Sequence, residues 1–174
     1  MTTRRSFLKI GVAAAITLAA GGAIYRWSQP AATANKFVLD GDALTVLTAV
    51  IPALLGPVLP AAPAACAAAV RSAAARVRDA VLGLPLTTQK EVQDLFGLLA
   101  LAPARRLLAG VSGDWAQADQ QQVAVFLQDW RTHRLALLRV AYMAMHDLVL
   151  GGWYADPSTW EAIGYPGPIK ELLA

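Results

Sequence analysis

The positions of proline and glycine divide a helix-forming sequence into segments, and this division is what most constrains the fold. The chain holds 10 prolines and 13 glycines, and good helix formers such as Ala, Leu, Gln and Arg fill most segments between them. We find no hairpin signal and no alternating stretch of Val, Thr and Tyr. The sequence therefore predicts an all-α fold, a single bundle of about five helices with one long central helix, after an N-terminal signal segment.

Local signals place the first helices of this bundle. A helix is predicted over about residues 42–55, with Asp40 or Asp42 as its N-cap. An Ala-rich helix follows over about 63–82, and the capping-box pattern Thr88-x-x-Glu91 predicts the start of the next one.

The longest predicted helix covers residues 118–150, a segment with neither Gly nor Pro. One narrow face of this helix is expected to form the core seam. Its members are Val123, Phe126, Trp130, His133, Leu137, Val140, Ala141, Ala144 and Leu148. A second apolar strip runs beside it and needs cover from the bundle or from a partner. That strip consists of Leu135, Leu138, Tyr142, Met145 and Val149.

An aromatic segment follows Gly151-Gly152 and contains Trp153, Tyr154, Trp160 and Tyr165. These rings could seal the end of the bundle, bind a partner, or do both. Together with the second strip they form the candidate partner interface. Within the segment, Asp156 is the expected cap of a short helix that starts at Pro157 and ends before Gly164, and 165–168 is expected to form a type II turn.

The N-terminus resembles a twin-arginine export leader, because Thr3-Arg4-Arg5-Ser6-Phe7-Leu8-Lys9 fits the pattern S/T-R-R-x-F-L-K throughout. The key leader residues are Arg4, Arg5, Phe7, Leu8 and Lys9. The uncharged run over 10–24 is shorter than the roughly 20 residues that a membrane span needs. We therefore expect a signal peptide over 1–34 and a helical domain over 35–174, with export to the periplasm. The alternative is a membrane-tethered structural protein that keeps 10–27 as an anchor.

The charge balance changes once the leader is removed. Four of the fifteen basic residues lie in 1–34 and all twelve acidic residues lie beyond it, so the remaining chain has a net charge of −1. The basic balance of the whole chain therefore gives no support to nucleic-acid binding. Cys66 is the one cysteine, which excludes an intrachain disulfide and a C-x-x-C-H haem attachment.

Catalytic and metal-binding motifs are missing from the sequence, which predicts no enzyme, no cofactor and no metal site in this chain. Asp129 and His133 are spaced as an i, i+4 pair on the long helix. We interpret them as a hydrogen-bonded structural pair, with a stand-alone periplasmic hydrolase as the alternative. Three arginines of the same helix could bind an acidic partner, although a face that is solvated or paired within the chain is the commoner outcome. They are Arg131, Arg134 and Arg139.

Two further patterns point to a family. Phe126 to Tyr142 reads F-L-x-x-W-R-x-x-R-x-x-L-L-R-x-A-Y, and Trp153 to Pro168 reads W-Y-x-x-P-x-x-W-x-x-I-G-Y-P-G-P. With the leader, these motifs resemble the small subunits of periplasmic flavin-dependent dehydrogenases, the gluconate 2-dehydrogenase subunit 3 group and its relatives that act with sugar and polyol dehydrogenases.

The resemblance implies an accessory role. In such complexes the small subunit is non-catalytic and carries the signal read by the twin-arginine translocase. The partner is a large FAD-bearing subunit of the glucose-methanol-choline oxidoreductase type, which crosses the membrane with the small subunit, and a c-type cytochrome subunit can complete the complex. The resemblance thus implies that FAD belongs to the partner and not to this chain.

The leader generates a first prediction. Ala32-Thr33-Ala34 is an A-x-A site just beyond the apolar run, so cleavage is expected before Asn35. N-terminal sequencing of the exported protein should begin at Asn35. An exported chain that still starts at its original N-terminus would instead support the anchor.

Overall fold

The computed structural model describes residues 36–167, which fold into six α-helices with no strand in that range. The helices are α1 (Gly41–Leu55), α2 (Pro63–Leu82), α3 (Leu86–Ala100), α4 (Ala102–Leu108), α5 (Gln120–Thr132) and α6 (Ala136–Tyr154). Short 3-10 turns lie at Gly56–Val58, Trp115–Gln117, Pro157–Thr159 and Glu161–Ile163. The predicted all-α bundle is confirmed. The predicted leader residues Arg4, Arg5, Phe7, Leu8 and Lys9 lie outside the described residues.

The first helix, α1, is the centre of the bundle. It packs against α2, α3, α5 and α6, and against the turn at Trp115–Gln117. Asp40 caps it by accepting a hydrogen bond of 2.8 Å from the Ala43 amide, as one of the two sequence alternatives predicts. Its buried residues are Ala43, Val46, Leu47, Ala49, Val50, Ile51 and Leu55.

Within residues 36–167, one stretch is long and apolar enough to cross a membrane, Gly41–Val58, with a mean hydropathy of 1.6. The central helix of a globular bundle meets the same criteria, since it too must be apolar on several faces. Val46, Leu47 and Val50 of this stretch are fully buried in the bundle. Packing in the bundle therefore accounts for the apolar residues on the buried side of α1.

Two tryptophans attach the irregular segment after α4 to the bundle. The Trp115 indole donates a hydrogen bond of 2.8 Å to the Leu99 carbonyl, and the Trp130 indole donates one of 2.9 Å to the Leu108 carbonyl. The ring of Phe126 lies between them, with centroid distances of 5.8 Å to Trp115 and 4.8 Å to Trp130. The tryptophans thus satisfy carbonyls near the ends of α3 and α4 while filling the core.

The predicted capping box at Thr88 and Glu91 is wrong. The third helix begins at Leu86, directly after Pro85, and no side chain caps it. The fixed φ of Pro85 and its extended ψ of 146° end the preceding turn, so the helix starts before Thr88 can act as a cap.

Gln89 ties three separate backbone groups together near the start of α3. Its side-chain oxygen accepts a hydrogen bond of 2.9 Å from the Phe37 amide. Its side-chain nitrogen donates to the carbonyls of Leu82 and Leu84, at 3.2 Å and 2.8 Å. Gln89 is only 3% exposed, and it supplies these backbone groups with the hydrogen-bond partners that water would otherwise supply. The segment before α1 and the turn after α2 are both held in this way.

The single long helix predicted over 118–150 is also wrong, because the chain leaves helical geometry between α5 and α6. His133 and Leu135 are extended, with ψ of 145° and 117°. The Nδ1 atom of His133 accepts a hydrogen bond of 3.1 Å from the Leu135 amide. Arg139 donates from Nη1 to the carbonyls of His133 and Arg134, at 2.6 Å and 3.2 Å. Side chains therefore satisfy the backbone groups that the break exposes.

The break changes which face of the second half is buried. Val123, Phe126 and Trp130 of α5 lie in the core, as the predicted seam requires. In α6, however, Leu137 and Val140 of that seam are 77% and 64% exposed. The predicted seam is therefore wrong at Leu137 and Val140, whereas Ala141 and Leu148 of the seam pack against the core. Tyr142, Met145 and Val149 of the strip beside it are the buried residues of α6, which contacts α1, α2 and α5.

The three bonds of Gln89 generate a prediction for stability. Gln89→Leu should lower the free energy of unfolding by about 2 kcal/mol or more, since it leaves buried backbone groups without partners. Gln93→Leu is the control, because Gln93 bonds to the Val38 amide and to Asp40 at an exposed site. There water replaces the lost bonds, and a loss below about 1 kcal/mol is expected. Urea unfolding measures both, and equal losses would contradict the role of Gln89.

Candidate partner-binding surface

The nine predicted interface residues separate into two groups in the structure. Four of them are buried, and the surface prediction is wrong for these four. They are Tyr142, Met145, Val149 and Trp153. The physical reason is the break before α6, which turns the second apolar strip toward the bundle.

The other five predicted interface residues keep some exposed surface. Leu135 and Tyr165 are 50% and 45% exposed, whereas Leu138, Tyr154 and Trp160 are half-buried. Leu135 lies at the N-terminal end of α6, and the three aromatic residues lie at or beyond its C-terminal end. The accessible part of the predicted interface therefore consists of two separate places.

At the N-terminal end of α6, exposed apolar side chains form a surface that includes Leu137 and Val140, which the sequence prediction assigned to the core. Leu137, Val140 and Met143 recur every third residue, so they follow one side of the helix, and Leu135 directly precedes it. Met143 is 49% exposed. Large apolar side chains that are exposed singly are ordinary, but a contiguous group marks an interaction surface.

The same end of α6 is strongly basic. Between Asp129 and Asp147 the sequence contains three arginines and no carboxylate. Arg131, Arg134 and Arg139 are all exposed, and within residues 36–167 none of them forms an ion pair. We call this combined surface the α5–α6 corner; it consists of Arg131, Arg134, Leu135, Leu137, Arg139, Val140 and Met143.

The aromatic segment beyond α6 is fixed largely by its own contacts. The Trp160 indole donates a hydrogen bond of 2.7 Å to the Tyr154 carbonyl, and its ring meets Tyr165 edge-on with centroids 5.1 Å apart. Gly167 has φ of +95°, as the third position of a type II turn requires, and a Cβ there would come within 3.2 Å of the Trp160 ring. Gly164 ends the preceding turn in the left-handed conformation, as predicted. Pro168 lies outside the described residues.

Asp156 fastens this segment to α2. It caps the turn at Pro157–Thr159 by accepting a hydrogen bond from the Ser158 amide, as the sequence predicts, and it also forms an ion pair with Arg76. Hydrogen bonds from the Ser158 amide and hydroxyl, followed by the charge of Arg76, hold the pKa of the Asp156 carboxyl below its ordinary value. The partners of this ion pair are 80 residues apart, so no local pattern could have revealed it.

Clefts open on the surface of the bundle formed by residues 36–167, and two of them are relevant here. One, of about 390 Å³, lies between α4 and α5, with Leu107, Val125 and Asp129 at its edge and Phe126 in its wall. The other, of about 550 Å³, surrounds the Arg76–Asp156 pair and is also lined by Asp79, Ala80, Gly151, Gly152 and Ala155. Both clefts are open to solvent. The first contains the charged residue Asp129, and the second contains Arg76, Asp79 and Asp156.

The candidate pair of Asp129 and His133 is not formed. His133 has left the helix and uses its Nδ1 atom to accept the Leu135 amide, while Asp129 is exposed at the edge of the first cleft. The predicted hydrogen bond between Asp129 and His133 is therefore wrong. The hydrolase alternative lacks the paired geometry that it requires.

Across residues 36–167, no three His, Cys, Asp or Glu side chains lie close enough together to hold a metal ion. Cys66 is a free, half-buried thiol.

Comparison with known proteins adds no relative to these observations. No family model matches the chain, and no curated protein or solved structure matches it either. A function must therefore be inferred from the motifs of the sequence and from the surfaces described above.

The Asp156 carboxylate generates a prediction for pH dependence. Because its folded-state pKa is depressed, its contribution to stability is present above the ordinary value of 3.8 and is lost as the pH falls through the folded-state pKa. Asp156→Asn should therefore lower the melting temperature at neutral pH, and its effect should shrink as the pH is lowered through the folded-state pKa. Asp79→Asn, in the exposed Arg78–Asp79 pair, is the control and should change little over the same pH range. A pH-independent loss in Asp156→Asn would contradict the electrostatic contribution.

Proposed function

We propose that this chain is a non-catalytic small subunit that binds, stabilises and co-exports a large FAD-dependent dehydrogenase of sugars, alcohols or polyols. The sequence supports this through the twin-arginine leader at Arg4-Arg5 and the ending Gly164-Tyr165-Pro166-Gly167-Pro168. Both motifs resemble those of the small subunits of periplasmic flavin-dependent dehydrogenases.

The structural observation that carries the proposal is the exposed apolar surface at the start of α6. Leu137 and Val140 project into solvent from a helix whose opposite side is well packed. Covering such side chains lowers the free energy by about 25 cal/mol for each Å² of apolar surface removed from water. A folded partner protein would provide that cover.

The export route explains why one subunit would carry the export signal while the other binds FAD. A twin-arginine translocase carries folded cargo, so the large subunit can bind FAD in the cytoplasm before it crosses the membrane. This chain supplies the leader, and the complex reaches the periplasm as a unit, where a c-type cytochrome subunit can accept electrons from the flavin. We assign FAD to the large subunit and no cofactor contact to any residue of this chain.

The two alternative functions have weaker support. A hydrolase would need His133 as a free base, whereas its Nδ1 atom already accepts the Leu135 amide. A membrane-tethered structural protein would leave the α5–α6 corner without a role.

The escort role is tested by changing the paired arginines. Arg4→Lys with Arg5→Lys should leave a co-expressed flavoprotein, the FAD-dependent large subunit, in the cytoplasm, since the complex then lacks its export signal. Arg26→Lys, beyond the apolar run, is the matched control and should leave export intact. Dehydrogenase activity in periplasmic and cytoplasmic fractions measures the effect. Equal periplasmic activity with and without the arginine pair would show that the flavoprotein does not depend on this leader.

A further inference from the structure

We infer that the α5–α6 corner docks into an apolar groove with an acidic rim on the dehydrogenase partner. This inference rests on the proposed function. It specifies which surface of this chain binds the dehydrogenase and what kind of side chains the dehydrogenase presents there.

The apolar part of the corner has the geometry of a helix that enters a groove. Val140 lies at the centre of the exposed side, with Leu137 one turn toward the N-terminus and Met143 one turn toward the C-terminus. Leu135 extends the apolar surface past the end of the helix, and it is half exposed. Helices bind grooves through anchors with this spacing of three to four residues.

The charged part of the corner defines the rim of the groove. Arg131 and Arg134 lie on the α5 side of the apolar residues, and no carboxylate interrupts the sequence from residue 130 to residue 146. An arginine next to an apolar contact is typical of protein interfaces, where its planar group binds carboxylates through two hydrogen bonds. The complementary rim therefore carries Asp or Glu side chains.

The backbone of the α5–α6 corner is already ordered before the partner binds. Arg139 donates hydrogen bonds to the carbonyls of His133 and Arg134, which fixes the extended residues between the two helices. Because the backbone is already ordered, docking does not have to offset the entropy of ordering this loop.

The other exposed surfaces fit this partner less well. The cleft at Leu107 and Val125 has the opposite charge, because Asp129 lies at its edge, so it suits a basic group. Trp160 and Tyr165 largely contact each other, and the indole hydrogen bond of Trp160 is already made. A lipid surface also attracts arginine and apolar side chains, so the vesicle measurement below separates it from a protein partner.

The test compares paired variants of the full chain for binding to a flavoprotein, the FAD-dependent large subunit of the proposed complex. Arg131→Glu with Arg134→Glu, and Leu137→Ser with Val140→Ser, should each weaken binding by about tenfold or more. Leu107→Ser with Val125→Ser is the control, since it removes equally exposed apolar groups from the cleft, and it should bind as the wild type does. Arg139 is left unchanged because it holds the backbone of the corner. Unchanged melting temperatures show that the variants are folded.

Salt and lipid measurements complete the test. Wild-type affinity should fall as salt is raised, and the double Glu variant should lose most of that dependence. If the wild type does not bind the flavoprotein, the proposed function itself fails. If it binds and the corner variants bind equally well, or the cleft variant alone loses binding, the assignment of the surface is wrong while the function stands. Sedimentation with phosphatidylethanolamine–phosphatidylglycerol vesicles that is lost only in the corner variants, with flavoprotein affinity unchanged, would identify a lipid surface and overturn the inference.

Discussion

The break between α5 and α6 decides what the rest of the bundle can bury. Nothing in the sequence of residues 118–150 forbids a continuous helix, and the break is stabilised by side chains that satisfy its backbone. Arg139 supplies donors to two carbonyls, and His133 supplies an acceptor to one amide. Because the chain turns here, α6 packs against α2 as well as α5. A continuous helix of that length would extend about 50 Å, far beyond the other helices.

The helix caps and turn glycines could be predicted from the sequence because they depend on residues that are close together in the chain. Asp40 and Asp156 cap the elements that follow them, and Gly164 and Gly167 occupy the positive-φ positions that turns require. The all-α bundle follows from the same kind of evidence. The start of α3 was misplaced because Pro85 ended the preceding turn earlier than the Thr88 pattern implied.

The burial of α6 could not be predicted, for a physical reason that concerns the candidate interface directly. Periodicity shows that this helix has two apolar strips, but it does not show which strip faces the bundle. A three-residue break is enough to exchange them, so Tyr142, Met145 and Val149 enter the core while Leu137 and Val140 face solvent. The contacts that fix such choices join distant residues, as Gln89 joins Phe37 to the end of α2. A local sequence pattern does not reveal contacts between residues that are far apart in the chain.

The two accessible parts of the surface are related through α6. The corner lies at the start of the helix and the aromatic segment follows its end, about 28 Å apart for 19 helical residues. Each end is fixed to another part of the fold, by Arg139 to the α5 connection and by Asp156 to Arg76 of α2. The buried strip between them holds the helix rigidly to the core. A partner that contacts both ends must therefore present a surface at least as long as α6, which suits a large subunit better than a short peptide.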